Sequence, residues 1–532
     1  MKRYRLARWN IFKSRPAGLA LLCLSLVLPS PVLLAQVAPN RLPNLGDGAE
    51  MNFGSERRIG DSIAREIYQD PDYIDDPVLQ EYVESVWHTL LNSSRQRGEL
   101  LSDQEQAFAW QVMLIRDRSI NAFALPGGYM GIHLGLIAAV TSTDEMASVL
   151  AHELTHITQR HIARSIGQQG RQSPLMIGAM IAGALVATRA GGSLNAANAA
   201  QALMVGGPAA AMQSQLNFSR DMEREADRIG YSVMTNAGYD PQGFVTMFEK
   251  LQQASRLNDN GGFPYLRSHP MTTERIADAQ ARQQLLPAKG LQVTTSLHAM
   301  MAARASVLVN PGIDGLRNIS GLPEQSGWSQ SSASKQINTL YAATLADIKM
   351  REWNSARQHL TRLQALPGLD AAGKSAVQLL SAELFIARGE GAQALRLLDS
   401  KALNLAARSR PVHLMLAQAR IQSRQAAEAQ LVRDDMQLWL SDHPNDALAW
   451  SFLALAFEVQ GDTLRAVRAQ AEVRAVQYDF SGAVDRLKAA QELVRNLSRQ
   501  GRLDNASQME ASIIDARLHA LEELRREQAL QR

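Results

Sequence analysis

Between Ser142 and about Ile166 the chain reads as one helix, and the pentapeptide His152-Glu153-Leu154-Thr155-His156 sits in its middle. Ser142-Thr143-Asp144-Glu145 has the form of a capping box, and Met146, Val149, Leu150 and Ile157 then recur at helical spacing. Residues four apart on a helix differ by about 40° in direction. The two imidazoles therefore share a face and can grip one ion, while Glu153, at about 100°, borders it. Zinc suits such a pair, with Glu153 as the general base toward a water whose pKa the metal lowers.

The ligand chemistry is narrowed further by the cysteine count. Cys23 is the only cysteine, and it lies in an apolar run from Ala17 to Leu34 that follows Lys2, Arg3, Arg5, Arg8, Lys13 and Arg15 and ends at Ala35-Gln36. A basic segment, an apolar run and a small residue at the end are the marks of a secretory signal peptide, here residues 1–35. Leu33 at the −3 position keeps an uncleaved anchor as the alternative, and Leu22 before Cys23 argues against lipidation. With the leader removed no thiol remains, so disulfides, thiolate metal sites and cysteine nucleophiles are excluded. Any metal must use histidine and carboxylate.

The same leader explains the formal charge of +3. Setting its six bases aside leaves 49 basic residues against 52 acidic ones, a net charge of −3. The mature chain has no electrostatic reason to bind nucleic acid. At 532 residues, 20% charged and 46% hydrophobic, the full sequence is long enough for two to four domains and too polar for a multi-span membrane protein.

A catalytic zinc needs a third protein ligand and an open position. His161 lies nine residues after His152, about half a turn away on a straight helix, and reads as a surface histidine. A later helix, from about Ser219 to Asn236, places Glu223 and Asp227 four apart on one face. Glu223 can bind the metal while Asp227 holds a ligand histidine by its second nitrogen. In isolation such a run is more often a solvated charged face.

The remaining texture divides the chain. Folded structure begins near residue 52, with a helical pattern through Ile59, Ile63 and Ile67 that continues through Val78, Tyr82, Val83 and Val86. Phe108–Ile115 and Gly128–Leu134 read as two strands. Residues 174–212 are rich in Ala and Gly, with an apolar core of 13 residues at 175–187, short of the roughly 20 needed to span a bilayer. They read as a packed hairpin or an active-site cover. The alternative, a membrane-touching element, would give a peripheral membrane contact.

Beyond residue 295 the pattern is helical throughout. Ala356, Ala394, Ala429 and Ala466 recur at 38, 35 and 37 residues, and Ala382, Phe385, Gly389 and Ala394 match Ala454, Phe457, Gly461 and Ala466. This is the texture of tetratricopeptide helix pairs, which stack into a concave surface for peptides or partner proteins. An unrelated alanine-rich helical domain is the alternative.

HELTH, FSRDMEREAD about 67 residues on, and RSHPMTTERI together resemble the M48 metallopeptidases over about residues 50–285. The resemblance implies that His152, His156 and Glu223 hold one Zn²⁺ and that Glu153 is catalytic. It gives Asp227 a supporting role that includes proton donation, although orientation of His152 is physically simpler. The segment Asn121–Tyr129 resembles the family's strand before the active-site helix, which could pair with substrate backbone, while Gly127-Gly128 alone would make an ordinary hairpin turn. His269, in Ser268-His269-Pro270, falls where the family carries an HP pair. It is expected either to hydrogen-bond the oxyanion or to occupy the open metal position as a regulatory ligand.

The expected fold is mainly α: a zincin-like metalloprotease domain with a small β-sheet over residues 36–290, then an α-solenoid of tetratricopeptide repeats over 291–532. The expected function is a periplasmic zinc endopeptidase. The resemblance implies misassembled outer-membrane β-barrel proteins as clients, with the repeats contacting them or the barrel assembly machinery. The rival reading is a tetratricopeptide chaperone or assembly adaptor with a latent or structural zinc site.

Overall fold

The computed structural model describes residues 51–168, 220–256, 265–284, 295–310, 312–398 and 409–530. The expected signal peptide, the apolar segment 175–187 and the expected domain boundary at residue 290 lie outside the described residues. Among the described residues no helix is long and apolar enough to cross a membrane.

The first helix, α1 (Phe53–Gln69), is capped by the Asn52 side chain and buries Ile59, Ile63 and Ile67. The helical pattern expected to run on through Val86 is broken, because Pro71 and Pro77 disfavour helical backbone at the residues before them. A two-residue strand, β1 (Tyr73–Ile74), fills the gap, and Asp76 then caps α2 (Pro77–Gln96). After α3 (Ser102–Ala107) come β2 (Gln111–Ile115), β3 (Ala122–Leu125) and β4 (Tyr129–His133), in a sheet ordered β1-β2-β4-β3. The two expected strands are thus β2 and β4, paired in parallel, and β3 joins β4 as an antiparallel hairpin. The hairpin turn needs its glycines: Gly127 and Gly128 have φ of 73° and 86°, and a Cβ on Gly128 would sit 2.8 Å from the Phe108 Cβ.

After the short α4 (Leu134–Ala139), α5 (Thr143–Thr158) carries the His-Glu-x-x-His pentapeptide and is buried along nearly its whole length. Ser142 caps it through the Glu145 amide, and the Glu145 carboxylate reaches back to the Thr141 amide and to Lys250. The helix does not continue to Ile166. It ends at Thr158, Arg160 takes the left-handed conformation at φ 55°, and a separate helix, α6 (His161–Gln168), begins. Arg160 is held there by the buried Glu56 at 2.9 Å and by the Phe53 ring, 4.5 Å from its guanidinium.

Helix α7 (Arg220–Asn236) crosses α5 closely because of Gly230, where a Cβ would fall 3.0 Å from the Ala151 carbonyl oxygen. Then follow α8 (Gln242–Arg256), the single turn α9 (Tyr265–Ser268) and α10 (Thr273–Gln284). From Ala333 the chain forms helix pairs: 333–350 with 353–365, 371–387 with 391–398, 410–421 with 426–442, 447–459 with 463–476, and 480–499 with 505–530. Ala356, Ala394, Ala429 and Ala466 are each the fourth residue of a pair's second helix, and all are buried, so small side chains admit the partner helix at equivalent points.

One hydrophobic core runs without interruption from Val78 of α2 to Leu398 of the second pair, through α5 and α11 (Ser296–Leu308). Two arginines tie the halves together. Arg304 pairs with Asp76 and Glu383, and Arg410 pairs with Asp75 and Asp446.

Candidate metal centre

Helical spacing puts His152 and His156 on one face of α5, and the Gly230 crossing brings Glu223 of α7 opposite them. His269 arrives from the turn after α9, with its ring stacked on Tyr265 at a centroid distance of 4.5 Å. Four donor atoms converge. Nε2 of His152 and of His156 are 3.0 Å apart, and His152 Nε2 is 3.3 Å from His269 Nδ1. Glu223 Oε1 lies 3.0 Å from His269 Nδ1 and 3.4 Å from His156 Nε2. All four residues are buried.

Zinc with arms of roughly 2.0–2.1 Å has tetrahedral ligand separations of roughly 3.3 Å, close to the four contacts above, and all four donor atoms lie within 4.8 Å of one another. The donor set of three imidazoles and a carboxylate fits as well. Electrostatics points the same way. Burial and the neighbouring imidazoles His152 and His269 hold His156 well below its ordinary pKa, despite Glu223, so it presents a neutral ring. Burial pushes Glu223 upward, but His269, His156 and His152 outweigh it and keep its carboxylate well below the usual range. His269 is lowered by burial and raised by Glu153 and Glu223, with a net upward shift.

Glu153 is fully buried, at 0% exposure. Its Oε2 accepts the backbone N–H of Ala124 in β3 at 2.9 Å. Its Oε1 accepts no hydrogen bond and lies 3.4 Å from His269 Nε2. The edge strand of the β3–β4 hairpin is thus tied to the glutamate.

Asp227 lies 3.0 Å from His152 Nδ1, an ion-pair contact whose direction is poor for a full hydrogen bond. Burial raises Asp227, while Arg275 and His152 together bring it below its ordinary value. Arg275 was not found from the sequence, although it stands in the RSHPMTTERI stretch. It forks onto both Asp227 oxygens at 2.6 and 2.8 Å, reaches Glu223 Oε2 at 2.8 Å and donates to the Pro270 carbonyl at 3.0 Å. One guanidinium thereby fixes a candidate ligand, its neighbour on α7 and the chain carrying His269.

The largest departure from expectation is His161, which is neither exposed nor turned away. The break at Arg160 carries it back beneath the site, fully buried, with Nδ1 2.8 Å from His156 Nδ1 and Nε2 3.0 Å from Glu225 Oε2. Burial, opposed by Glu225, lowers it to about 4. Half a turn on a straight helix was the wrong extrapolation because the helix is not straight.

Residues 78–283 match the model of peptidase family M48. The chain is 33% identical over 350 residues to the putative beta-barrel assembly-enhancing protease of Vibrio cholerae, covering 64% of this chain and 67% of that one. It is 28% identical over 508 residues to the beta-barrel assembly-enhancing protease of Escherichia coli, covering 93% and 96%. The mitochondrial metalloendopeptidase OMA1 of Saccharomyces cerevisiae is 27% identical over 199 residues, 36% of this chain and 53% of that one.

Proposed function

The chain belongs to peptidase family M48 and is a metalloendopeptidase, and we propose that it uses zinc in the periplasm to degrade misassembled outer-membrane proteins and to support their assembly. The observation that carries this reading is Glu153, a buried carboxylate with one oxygen free of hydrogen bonds beside four convergent metal donors. The relatives named as beta-barrel assembly-enhancing proteases support the client class, and the basic, then apolar, N-terminus supports export.

His152, His156 and Glu223 would hold the zinc, which supplies Lewis-acid polarisation of the scissile carbonyl and activation of a water. Glu153 takes the proton from the attacking water at Oε1 and returns it to the leaving amine. Asp227, forked by Arg275, holds His152 by Nδ1. The β3 edge accepts an extended substrate by main-chain pairing, which suits unfolded clients of loose sequence preference. The helix pairs act as tetratricopeptide repeats that recruit clients or the assembly machinery.

His269 acts as a regulatory fourth ligand. Were zinc held by His269 as well as His152, His156 and Glu223, no position would be left for substrate, and withdrawal of His269 would supply the open position a catalytic zinc requires. On this reading His269→Ala raises the cleavage rate, whereas an oxyanion role predicts a fall.

A second reading, a repeat-domain chaperone or adaptor with a latent zinc site, is favoured by the closed four-donor set. Zinc-loaded wild type and Glu153→Gln, compared for cleavage of an unfolded β-barrel client and for barrel assembly in cells, separate the two. Loss of both activities establishes proteolysis as the function. Loss of cleavage alone makes chaperoning a separate activity, and no effect on either favours the latent site.

A further inference from the structure

The two helix-borne imidazoles differ in what stands behind them. His152 turns Nδ1 to a carboxylate, Asp227, at 3.0 Å. His156 turns Nδ1 to another imidazole, His161, at 2.8 Å, and that ring turns its far nitrogen to Glu225 at 3.0 Å. Glu225 also receives Arg164 Nη1 at 2.9 Å. Glu225 stands two residues after Glu223 on α7, so one helix supplies both a metal donor and the end of this chain of contacts.

Resting on the reading of His156 as a metal ligand, we propose that His161, backed by Glu225, is a positioning residue that fixes the tautomer and ring orientation of His156. The order of protons follows from the acceptor at the end. An ionised carboxylate only accepts, so His161 Nε2 carries the hydrogen. A neutral imidazole has one N–H, which leaves His161 Nδ1 as a lone pair. His156 Nδ1 must then donate to it, and His156 Nε2 is left bare, facing the other donors. The opposite order would set a lone pair of His161 against the Glu225 carboxylate. Outer partners of this kind orient metal ligands, and losing them typically costs 10–100-fold in metal affinity.

The test is zinc affinity of the full chain by chelator competition, with the visible spectrum of the Co²⁺-substituted protein as a second readout. Phe fills the histidine volume but accepts nothing, whereas the Oδ1 of Asn falls near the position of Nδ1 and accepts the His156 proton. We expect His161→Phe to bind zinc roughly 10–100-fold more weakly with an altered Co²⁺ spectrum, and His161→Asn to recover most of the affinity and the wild-type spectrum. Packing alone predicts the reverse order. Wild-type affinity in His161→Phe, or equal weakness in both variants with unchanged melting of the metal-free protein, overturns the proposal.

Should His161→Phe melt early without metal, the half-exposed Glu225 decides: Glu225→Gln must weaken zinc binding several-fold, and an unchanged affinity refutes the relay. His156→Ala is the control for the underlying reading. If it binds zinc as tightly as wild type, the ligand assignment fails. If it alone is weak, only the positioning role fails.

Discussion

Among the described residues, two of the buried charge clusters are built on opposite principles. At the junction between the halves, Arg304 donates to both Asp76 oxygens at 2.7 and 2.8 Å and to Glu383 at 2.9 Å, and Asp76 also accepts the Leu79 amide. Every charge there meets an opposite charge and a hydrogen bond. Around His152 the burial is as deep, yet Glu153 Oε1 accepts no hydrogen bond, His152 Nδ1 has only an off-line partner, and three imidazoles crowd the Glu223 carboxylate. Charge that the protein satisfies by itself serves the fold. Donors left converging with too few protons to share are a place where a cation could bind, and they are the proposed working site.

That contrast breaks if the site proves structural or the junction functional. The largest expected effect is Glu153→Gln, a fall of about 10²–10⁴-fold in kcat with zinc affinity and melting temperature unchanged, measured on the zinc-loaded protein. Next is Arg304→Met, which strands Asp76 and Glu383. It should cost about 3–5 kcal/mol by chemical denaturation while leaving zinc affinity alone, and a matching loss of affinity would merge the two clusters.

Zinc at 100 times its Kd should stabilise the fold by about 2.7 kcal/mol. Stripping it with chelator should lower the melt equally in wild type and Arg304→Met, since distant sites add. Acid should separate the clusters too. Asp76 is driven up by burial and then below its ordinary pKa by Arg304. A depressed carboxylate contributes stability above its unfolded value near 3.9 and loses it as pH falls through the folded value. The junction should therefore hold at pH 5, where His269, lowered by burial but raised overall by Glu153 and Glu223, is protonated and zinc affinity has lost its contribution. The smallest effect is Tyr478→Phe. It removes the 2.9 Å contact to the Tyr129 hydroxyl across the junction and should cost no more than about 1 kcal/mol.

How much of this was readable beforehand depended on range. The expectation of a mainly α chain with a small sheet follows from periodicity, and the fold agrees with it. The four alanines were visible because equivalent packing points recur in the chain at the repeat length. The break after Ile67 was written in Pro71 and Pro77 and went unread. Strand β3 was weakly signalled, since Ala122-Phe123-Ala124-Leu125 is short and alanine-rich, and it is held by pairing with β4.

For the site, residue types and a spacing of four were sufficient to nominate His152, Glu153, His156, Glu223 and Asp227, because a helix converts sequence distance into direction. His161 and Arg275 escaped for the same physical reason. A single left-handed residue at Arg160, stabilised by Glu56, 104 residues earlier in the chain, and by Phe53 of the same helix, reverses the direction that spacing implies. Arg275 reaches Glu223 and Asp227 from a helix whose approach no local pattern encodes. The sequence by itself determined the helices, the repeat period and the chemistry available without thiols. Only the tertiary structure decided which nitrogens face one another, because a crossing set by Gly230 and a kink set by Arg160 are properties of elements meeting in space.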